Sequence, residues 1–330
     1  MARKLRLEFP GACYHVLNRG NYRRDLFAGD GAAESFQCCL FEACERYRWR
    51  LHAFVVMLNH FHLALETPEA NLSEGMKWLQ GTWAARFNRY RSEIGRPFQG
   101  RYKALHVEPG HAFAQVAHYI HLNPVRAGIT SAAQILEYRW SSLTWFISRR
   151  RPIFLVPNTV LAESGGLADT PAGWQSYLAY LEVLATEDTA RKDEAFGRLS
   201  RGWAIGTTQF KAGLAKELQC AGGQSPLMTL VGLDRAGQRE ARMALWNEQL
   251  TAIAAVLELD LKALPRRKSA DEKIQLAAAM KQLTSASNDW LAQRLEMGAS
   301  TSVSPLLHRF RATGGIEKSR LKQRLSRLST

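Results

Sequence analysis

The chain of 330 residues has little cysteine, no long apolar run and no cluster of carboxylates, and each shortage removes a class of function. Its five cysteines, Cys13, Cys38, Cys39, Cys44 and Cys220, are odd in number and contain no C-x-x-C pair. That argues against a disulfide framework and a cysteine-based zinc site, and fits reduced, mostly buried thiols. The longest apolar stretches, such as the one around Phe54–Leu58, fall far short of the ~20 residues needed to cross a bilayer. The first residues, Met1 to Glu8, carry charge with no apolar run behind it, so no secretory leader and no membrane partner are expected, and the expected location is cytoplasmic. Without a clustered Asp/Glu set, a carboxylate-rich two-metal nuclease site is not expected either. No internal repeat and no low-complexity tract interrupts the chain.

Positive charge is what the sequence has in excess, and it is unevenly spread. The net charge is +14, with 44 Lys and Arg against 30 Asp and Glu. Residues 1–151 hold 21 cations against 12 anions, residues 152–258 hold 9 against 12, and residues 259–330 hold 14 against 6. Two basic blocks flanking a mildly acidic middle suggest two polyanion-binding units joined by a scaffold. The expected division is therefore 1–151, 152–258 and 259–330, with the boundary near Arg149-Arg150-Arg151-Pro152.

The first block alternates strand and helix signals. Strands are expected at Cys13–Asn18, Leu51–Leu58, His60–Thr67 and Arg101–Val107, and helices at Asp30–Tyr47, Asn71–Arg91 and Gly110–Ala127. This order is the split βαβ pattern of a ferredoxin-like antiparallel sheet, with helices on one face and the other left open for a site. Helices are then expected at Trp174–Ala185, Thr208–Leu218 and Arg235–Leu259. The last block reads as helices Asp271–Leu283, Asp289–Glu296 and Thr301–Arg311, with Met297-Gly298-Ala299 as the turn of a helix-turn-helix-like unit. Thr301, Ser302 and Ser304 would face a groove; a three-helix bundle used for packing fits the same pattern. The basic run Lys318–Arg327 reads as a mobile arm or a docking helix. The fold class is thus α+β: a ferredoxin-like catalytic domain, then a mainly helical C-terminal region.

Within β-strand His60–Thr67, His60 and His62 point the same way, roughly 6.5–7 Å apart, while Phe61, Leu63 and Leu65 take the opposite, core face. That spacing suits two imidazoles converging on one cation; taken alone, it also fits two histidines with no chemical role. In helix Gly110–Ala127, Tyr119 and Asn123 are four residues apart and share a face, whereas His121 lies roughly 200° round the wheel. Asn123 also precedes Pro124, and Asn-Pro often marks a helix end. Two neutral imidazoles and an amide oxygen would leave open positions on a divalent cation able to polarise a scissile phosphate. A tyrosine beside it would be the nucleophile that conserves the phosphodiester as a phosphotyrosine.

Arg19, Asn21, Arg23 and Arg24 follow the first strand in a loop where Gly20 would let the backbone approach a phosphate; a solvated basic turn is the other reading. Arg86, Arg101 and Lys103 are interleaved with Phe87, Tyr90 and Tyr102, as in single-strand binders, although these aromatics also fit a core. Arg126 lies one turn beyond Asn123 on the same face, where it could hold a phosphate beside Tyr119.

With His60-Phe61-His62 and Tyr119-x-x-x-Asn123 in place, the chain resembles the single-tyrosine HUH transposases. Tyr14-His-Val-Leu-Asn-Arg-Gly-Asn21, Phe98-Gln-Gly-Arg-Tyr102 and Tyr119-Ile-His-Leu-Asn-Pro-Val-Arg-Ala-Gly128 narrow the resemblance to the REP-associated group. It covers residues ~9–150 and continues more loosely through Arg201-Gly-Trp-Ala-Ile-Gly206 and the last block. Phe98 departs from it, since relatives often carry Trp there. The resemblance implies a ferredoxin-like catalytic domain, Mg²⁺ or Mn²⁺ held by His60, His62 and Asn123, a 5′-phosphotyrosine on Tyr119, and single-stranded or hairpin repeat DNA as substrate. It also implies that the Arg19–Arg24 loop reads a short sequence beside the hairpin. No small-molecule substrate is expected; the oligomeric state is left open, a monomer being favoured. Two other readings stay in play: a catalytically silent hairpin-DNA-binding protein, and another HUH nicking enzyme of the replication-initiator or relaxase type. Retention of both histidines, Tyr119 and Asn123 disfavours the first, and the lack of a G-x-x-x-x-G-K-[ST] helicase loop disfavours the second.

Overall fold

The computed structural model describes residues 7–148, 150–186, 199, 200, 202–221 and 235–312. Residues up to Phe210, with 235–237, form one compact unit, and those from Lys211 onward form the other. The basic run Lys318–Arg327 lies outside the described residues, as do Arg149 and Arg201. No helix among the described residues is long and apolar enough to cross a membrane.

The first unit is built on strands β1 (Ala12–Arg19), β2 (Arg50–Val56), β3 (His60–Thr67) and β4 (Lys103–Val107), with helices α1 (Asp30–Tyr47), α2 (Leu72–Arg91) and α3 (His111–Arg126) between and after them. The strands lie in the order β2-β3-β1-β4 and all pair antiparallel, which is the split βαβ arrangement. Alternation along β3 sorts its two faces. Phe61, Leu63 and Leu65 are fully buried, and Phe61 meets Phe36 of α1 at a ring separation of 4.6 Å. Trp83 of α2 packs edge-on against the same Phe36. Helices α1 and α2 therefore cover this face. Close approach of α2 depends on Gly75, where any Cβ would collide with the Trp49 indole, itself fixed by Nε1–H donating to Asn71 Oδ1 at 2.8 Å.

The opposite face is not open, contrary to expectation. Helix α3 lies across it: Phe113 meets His52 at 4.8 Å and Tyr119 meets His62 at 5.6 Å between ring centroids. The apolar stripe of α3, Phe113, Val116, Ala117 and Ile120, is too large to leave in water and needs the sheet as its partner. A second departure is a fifth strand, β5 (Ala204–Ile205), which pairs parallel with β4 at His106 and Val107. On the other side of the sheet, β2 is met by Leu155, whose neighbour Phe154 accepts from Leu51 N–H at 2.8 Å, and by Ser141.

Packing runs straight through the Arg151–Pro152 stretch. Phe154, Leu155, Val160, Leu161, Trp174, Tyr177 and Leu181 join the same hydrophobic cluster as the strands. They come from the chain through α4 (Ser142–Phe146), α5 (Asn158–Glu163) and α6 (Pro171–Thr186). The division at 151 and 258 is thus a proposal about charge and function, separate from the packing units.

The second unit contains most of α7 (Thr208–Ala221) and α8 (Arg235–Val256), with α9 (Asp271–Leu283), α10 (Asn288–Arg294) and α11 (Ser300–Ala312), the last three within a residue or two of the expected bounds. Its core holds Leu250, Ile253, Leu276, Met280, Trp290, Leu291, Val303 and Leu307. Ser287 caps α10 by accepting from Trp290 N–H at 3.2 Å. Glu296 is left-handed at φ 51° and Gly298 at φ 90°, so the α10–α11 link turns tightly. Thr301, Ser302 and Ser304 are exposed on α11.

Candidate active site

Register places the residues of the site before any side chain is considered. In β3, His60 lies opposite Arg19 and His62 opposite Leu17 of β1, while Lys103 of β4 lies opposite Leu17 from the other side. Arg19, Leu17, His15, His60, His62 and Lys103 therefore share the face under α3. The two histidine rings stand 5.1 Å apart between centroids, nearly perpendicular.

Helix α3 brings Tyr119 over this face. Its ring lies 5.6 Å from His62 and 5.8 Å from His15, both edge-on, and only 6% of the residue is exposed. One turn on, Asn123 Nδ2 donates to the Tyr119 carbonyl at 2.9 Å, which turns its Oδ1 outward from the helix backbone. The Arg126 guanidinium stands 5.2 Å from the Tyr119 ring centroid. His121 points elsewhere, as the helical wheel requires: its Nδ1 bonds Tyr177 Oη at 2.8 Å and its Nε2 bonds Ser142 Oγ at 2.9 Å.

Burial keeps the imidazoles neutral. Desolvation pushes His60 down to about 4, with the Arg19 charge adding to it. His62 is held well below its ordinary value by burial first, then by neighbouring His15, His60, Arg19 and Arg126. Burial likewise takes His15 to about 4, partly opposed by its bond to the Leu199 carbonyl. Neutral imidazoles are the form that ligates a metal. His60 has its Nδ1 engaged with Asn59 Oδ1 at 2.9 Å, and His62 has its Nδ1 engaged with His15 Nε2 at 2.9 Å. In both rings Nε2 is the nitrogen left for a cation, and with the Asn123 amide oxygen the donor set suits a hard divalent ion with open positions. Among the described residues no group of three or more His, Cys, Asp and Glu could hold a metal, so the third protein ligand here would be the amide.

Two contributors were not singled out in the sequence. His15 is buried in an apolar strand, where a lone histidine gives no signal, and Asn59 reads only as a turn residue. The segment beyond residue 198 also reaches the site. Leu199 O accepts from His15 Nδ1 at 2.7 Å, and Ser200 O accepts from Lys103 Nζ at 3.0 Å.

The expected DNA contacts divide. Arg19, Lys103 and Arg126 are brought to the site by register and by α3. Asn21 and Arg23 sit in a single 3₁₀ turn, with Tyr22 and Arg23 left-handed at φ 52° and 59° and Tyr22 94% exposed. Gly20 is needed for space rather than for flexibility: its φ is an ordinary −56°, and a Cβ there would strike the Arg24 carbonyl. Arg24 is clamped to Glu93 by two bonds of 2.6 and 2.5 Å. Arg101 is exposed just before β4. Arg86 is not brought to the site; it extends from α2 to α1, where it binds Glu42 through both nitrogens at 2.9 and 3.0 Å.

Residues 9–123 match the family of IS200-like transposases. Among solved structures, a REP-associated tyrosine transposase bound to a REP hairpin is similar at 17% identity over 48% of this chain and 93% of that one, with a TM-score of 0.38. A transposase from Deinococcus radiodurans is similar at 25% identity over 36% of this chain and 95% of that one, with a TM-score of 0.27. No curated protein matches the chain.

Proposed function

We propose, from the match of residues 9–123 to the family of IS200-like transposases, that the protein cleaves and rejoins one strand of hairpin or single-stranded repeat DNA through Tyr119. The observation that carries this reading is the placement of Tyr119 edge-on to His62, beneath the Arg126 guanidinium. The Tyr119 oxygen attacks the scissile phosphorus and its P–O bond forms as the bond to the 3′ oxygen breaks. The phenolic proton passes to solvent, the 3′ oxygen takes one up, and the 5′ phosphate stays on the protein. Attack by a 3′ hydroxyl on that phosphotyrosine reverses the exchange, so joining needs no external energy source.

His60, His62 and Asn123 would hold Mg²⁺ or Mn²⁺, which when bound supplies charge to the phosphate and leaving oxygen. Arg126 neutralises phosphate beside the nucleophile, while Arg19 and Lys103 keep the floor of the site electropositive toward a DNA backbone. The repeat-hairpin substrate follows from the likeness of residues 14–21, 98–102 and 119–128 to the REP-associated group. The basic last block adds affinity rather than chemistry, through the exposed face of α11.

Incubating the full chain with repeat hairpins carrying single-stranded flanks, with and without Mn²⁺, tests this. A denaturation-stable protein–DNA adduct is expected from the wild type and none from Tyr119→Phe, with hairpin binding changed little. An adduct that persists in Tyr119→Phe moves the nucleophile elsewhere, to Tyr102 or Tyr138. Wild-type binding without cleavage on every substrate would leave a silent hairpin binder.

A further inference from the structure

Each of the two histidines offered to a cation has its second nitrogen held by a side chain that is itself held by an obligate acceptor. Beginning with His62, the Leu199 carbonyl can only accept, so the His15 proton sits on Nδ1, 2.7 Å away. His15 Nε2 is then a lone pair and must accept at 2.9 Å from His62 Nδ1–H. His62 is thereby left with a bare Nε2. For His60, the Arg23 carbonyl and the Asp25 carboxylate accept from Asn59 Nδ2 at 3.3 and 3.5 Å. That orients the Asn59 amide so that Oδ1 accepts at 2.9 Å from His60 Nδ1–H. His60 is also left with a bare Nε2.

We propose that His15 and Asn59 are positioning residues that lock His62 and His60 in the Nδ1–H tautomer, presenting both Nε2 lone pairs to the divalent cation. The inference rests on the metal reading given above. It also makes residues beyond the 9–123 match part of the working site, because the Leu199 carbonyl begins one of the two chains of bonds. Free imidazole has no such bias of orientation, and fixing the tautomer and ring angle of a ligand is what outer partners do in metal centres, at 10–100-fold in affinity each.

Long-range proton–nitrogen NMR of the metal-free full chain reads the tautomers directly. His15, His60 and His62 are all expected as Nδ1–H forms; an Nε2–H form at His60 or His62 overturns the proposal without any variant. Mn²⁺ titration of the same protein, with no DNA present, provides the second readout. Asn59→Ala and His15→Leu are expected to bind Mn²⁺ roughly 10–100-fold more weakly. His15→Gln, which restores an acceptor toward His62, is expected to recover most of that loss. If the wild type binds Mn²⁺ and both deletions bind it equally well, these positions are structural only. If the wild type binds no Mn²⁺ while its tautomers are as stated, the metal reading itself fails and the proposal with it.

Discussion

The sheet unit and the helical unit are both built around an apolar core, yet they treat polar groups differently. Eight of the nine histidines lie in the sheet unit, and His15, His52, His62, His106, His118 and His121 are buried there with Asn18, Asn123, Ser141 and Ser142. In the helical unit, Lys273 is the one buried polar or charged residue among those described, and its Nζ reaches the Glu296 carbonyl at the α10–α11 link. Burying a polar group costs stability unless every hydrogen bond is met. The sheet unit meets that cost around the tyrosine-bearing helix, where His118 and His121 share the Tyr177 hydroxyl at 2.9 and 2.8 Å. Chemistry is therefore expected from the first unit, and affinity from the second.

The largest expected effect that would break this contrast concerns the ligands. His60→Ala and His62→Ala should slow metal-dependent cleavage by more than ~100-fold, beyond what loss of an outer partner costs. Asn123→Ala should be the mildest of the three, because an amide oxygen is the weakest donor. Single-turnover hairpin cleavage at fixed Mn²⁺ measures this, and an Asn123→Ala defect as deep as the histidine ones would refute the ligand ranking.

Next comes a core deletion in the other unit. Leu276→Ala should destabilise the helical unit by roughly 2–5 kcal/mol, seen in calorimetry as one transition moving while the other stays. Cleavage at saturating protein should be unchanged. Equal shifts of both transitions would show a single cooperative fold.

Acid should separate the units by a smaller step. Burial lowers His106 and His118 to about 4 and His121 to about 3. Their unfolded forms take up protons below about 6.5 that the fold refuses. Stability of the sheet unit is therefore complete above that pH and falls as pH drops toward 4, by ~1.4 kcal/mol per pH unit for each such histidine. Urea melts at pH 7 and pH 5 should show the sheet-unit transition weakening and the helical one nearly constant. A sheet unit indifferent to that change would mean these imidazoles charge without penalty.

The smallest effect tests the division of labour directly. Arg309 and Arg311 are exposed in the last turn of α11. Replacing both with Gln should flatten the slope of log K against log salt by roughly 0.7–0.9 per lost phosphate contact. An unchanged slope at every salt concentration would make the helical unit a packing or partner-binding module.

Much of this arrangement was legible in the sequence wherever periodicity carried it. Alternation along His60–Thr67 separated the histidine face from the Phe61–Leu65 face, and the wheel of α3 placed Tyr119 with Asn123 and sent His121 away. Both depend only on local geometry. The open sheet face failed as an expectation because a local pattern shows that α3 carries an apolar stripe, Phe113, Val116, Ala117 and Ile120, but not which surface covers it. β5 was invisible because two residues make no pattern, and its pairing with β4 is fixed by chain nearly a hundred residues away. His15 and Asn59 were missed for a related reason: their partners, Leu199 and Arg23, are set by tertiary placement. Arg86 sits in a basic run that suggests DNA, and its ion pair with Glu42 on the facing helix depends on tertiary placement that no local pattern shows.

The short strand at Ala204–Ile205 and the bridges to Leu155 and Ser141 also have a consequence for how copies of this protein meet one another. A sheet that ends in bare N–H and C=O groups is a template on which a second molecule can continue the ladder. Here one outer strand is met at its far end by β5 and the opposite one at Leu51 and Val55 by the chain that follows α3. A handful of backbone bonds supplied from later in the sequence thus covers part of both sheet edges against strand-by-strand aggregation.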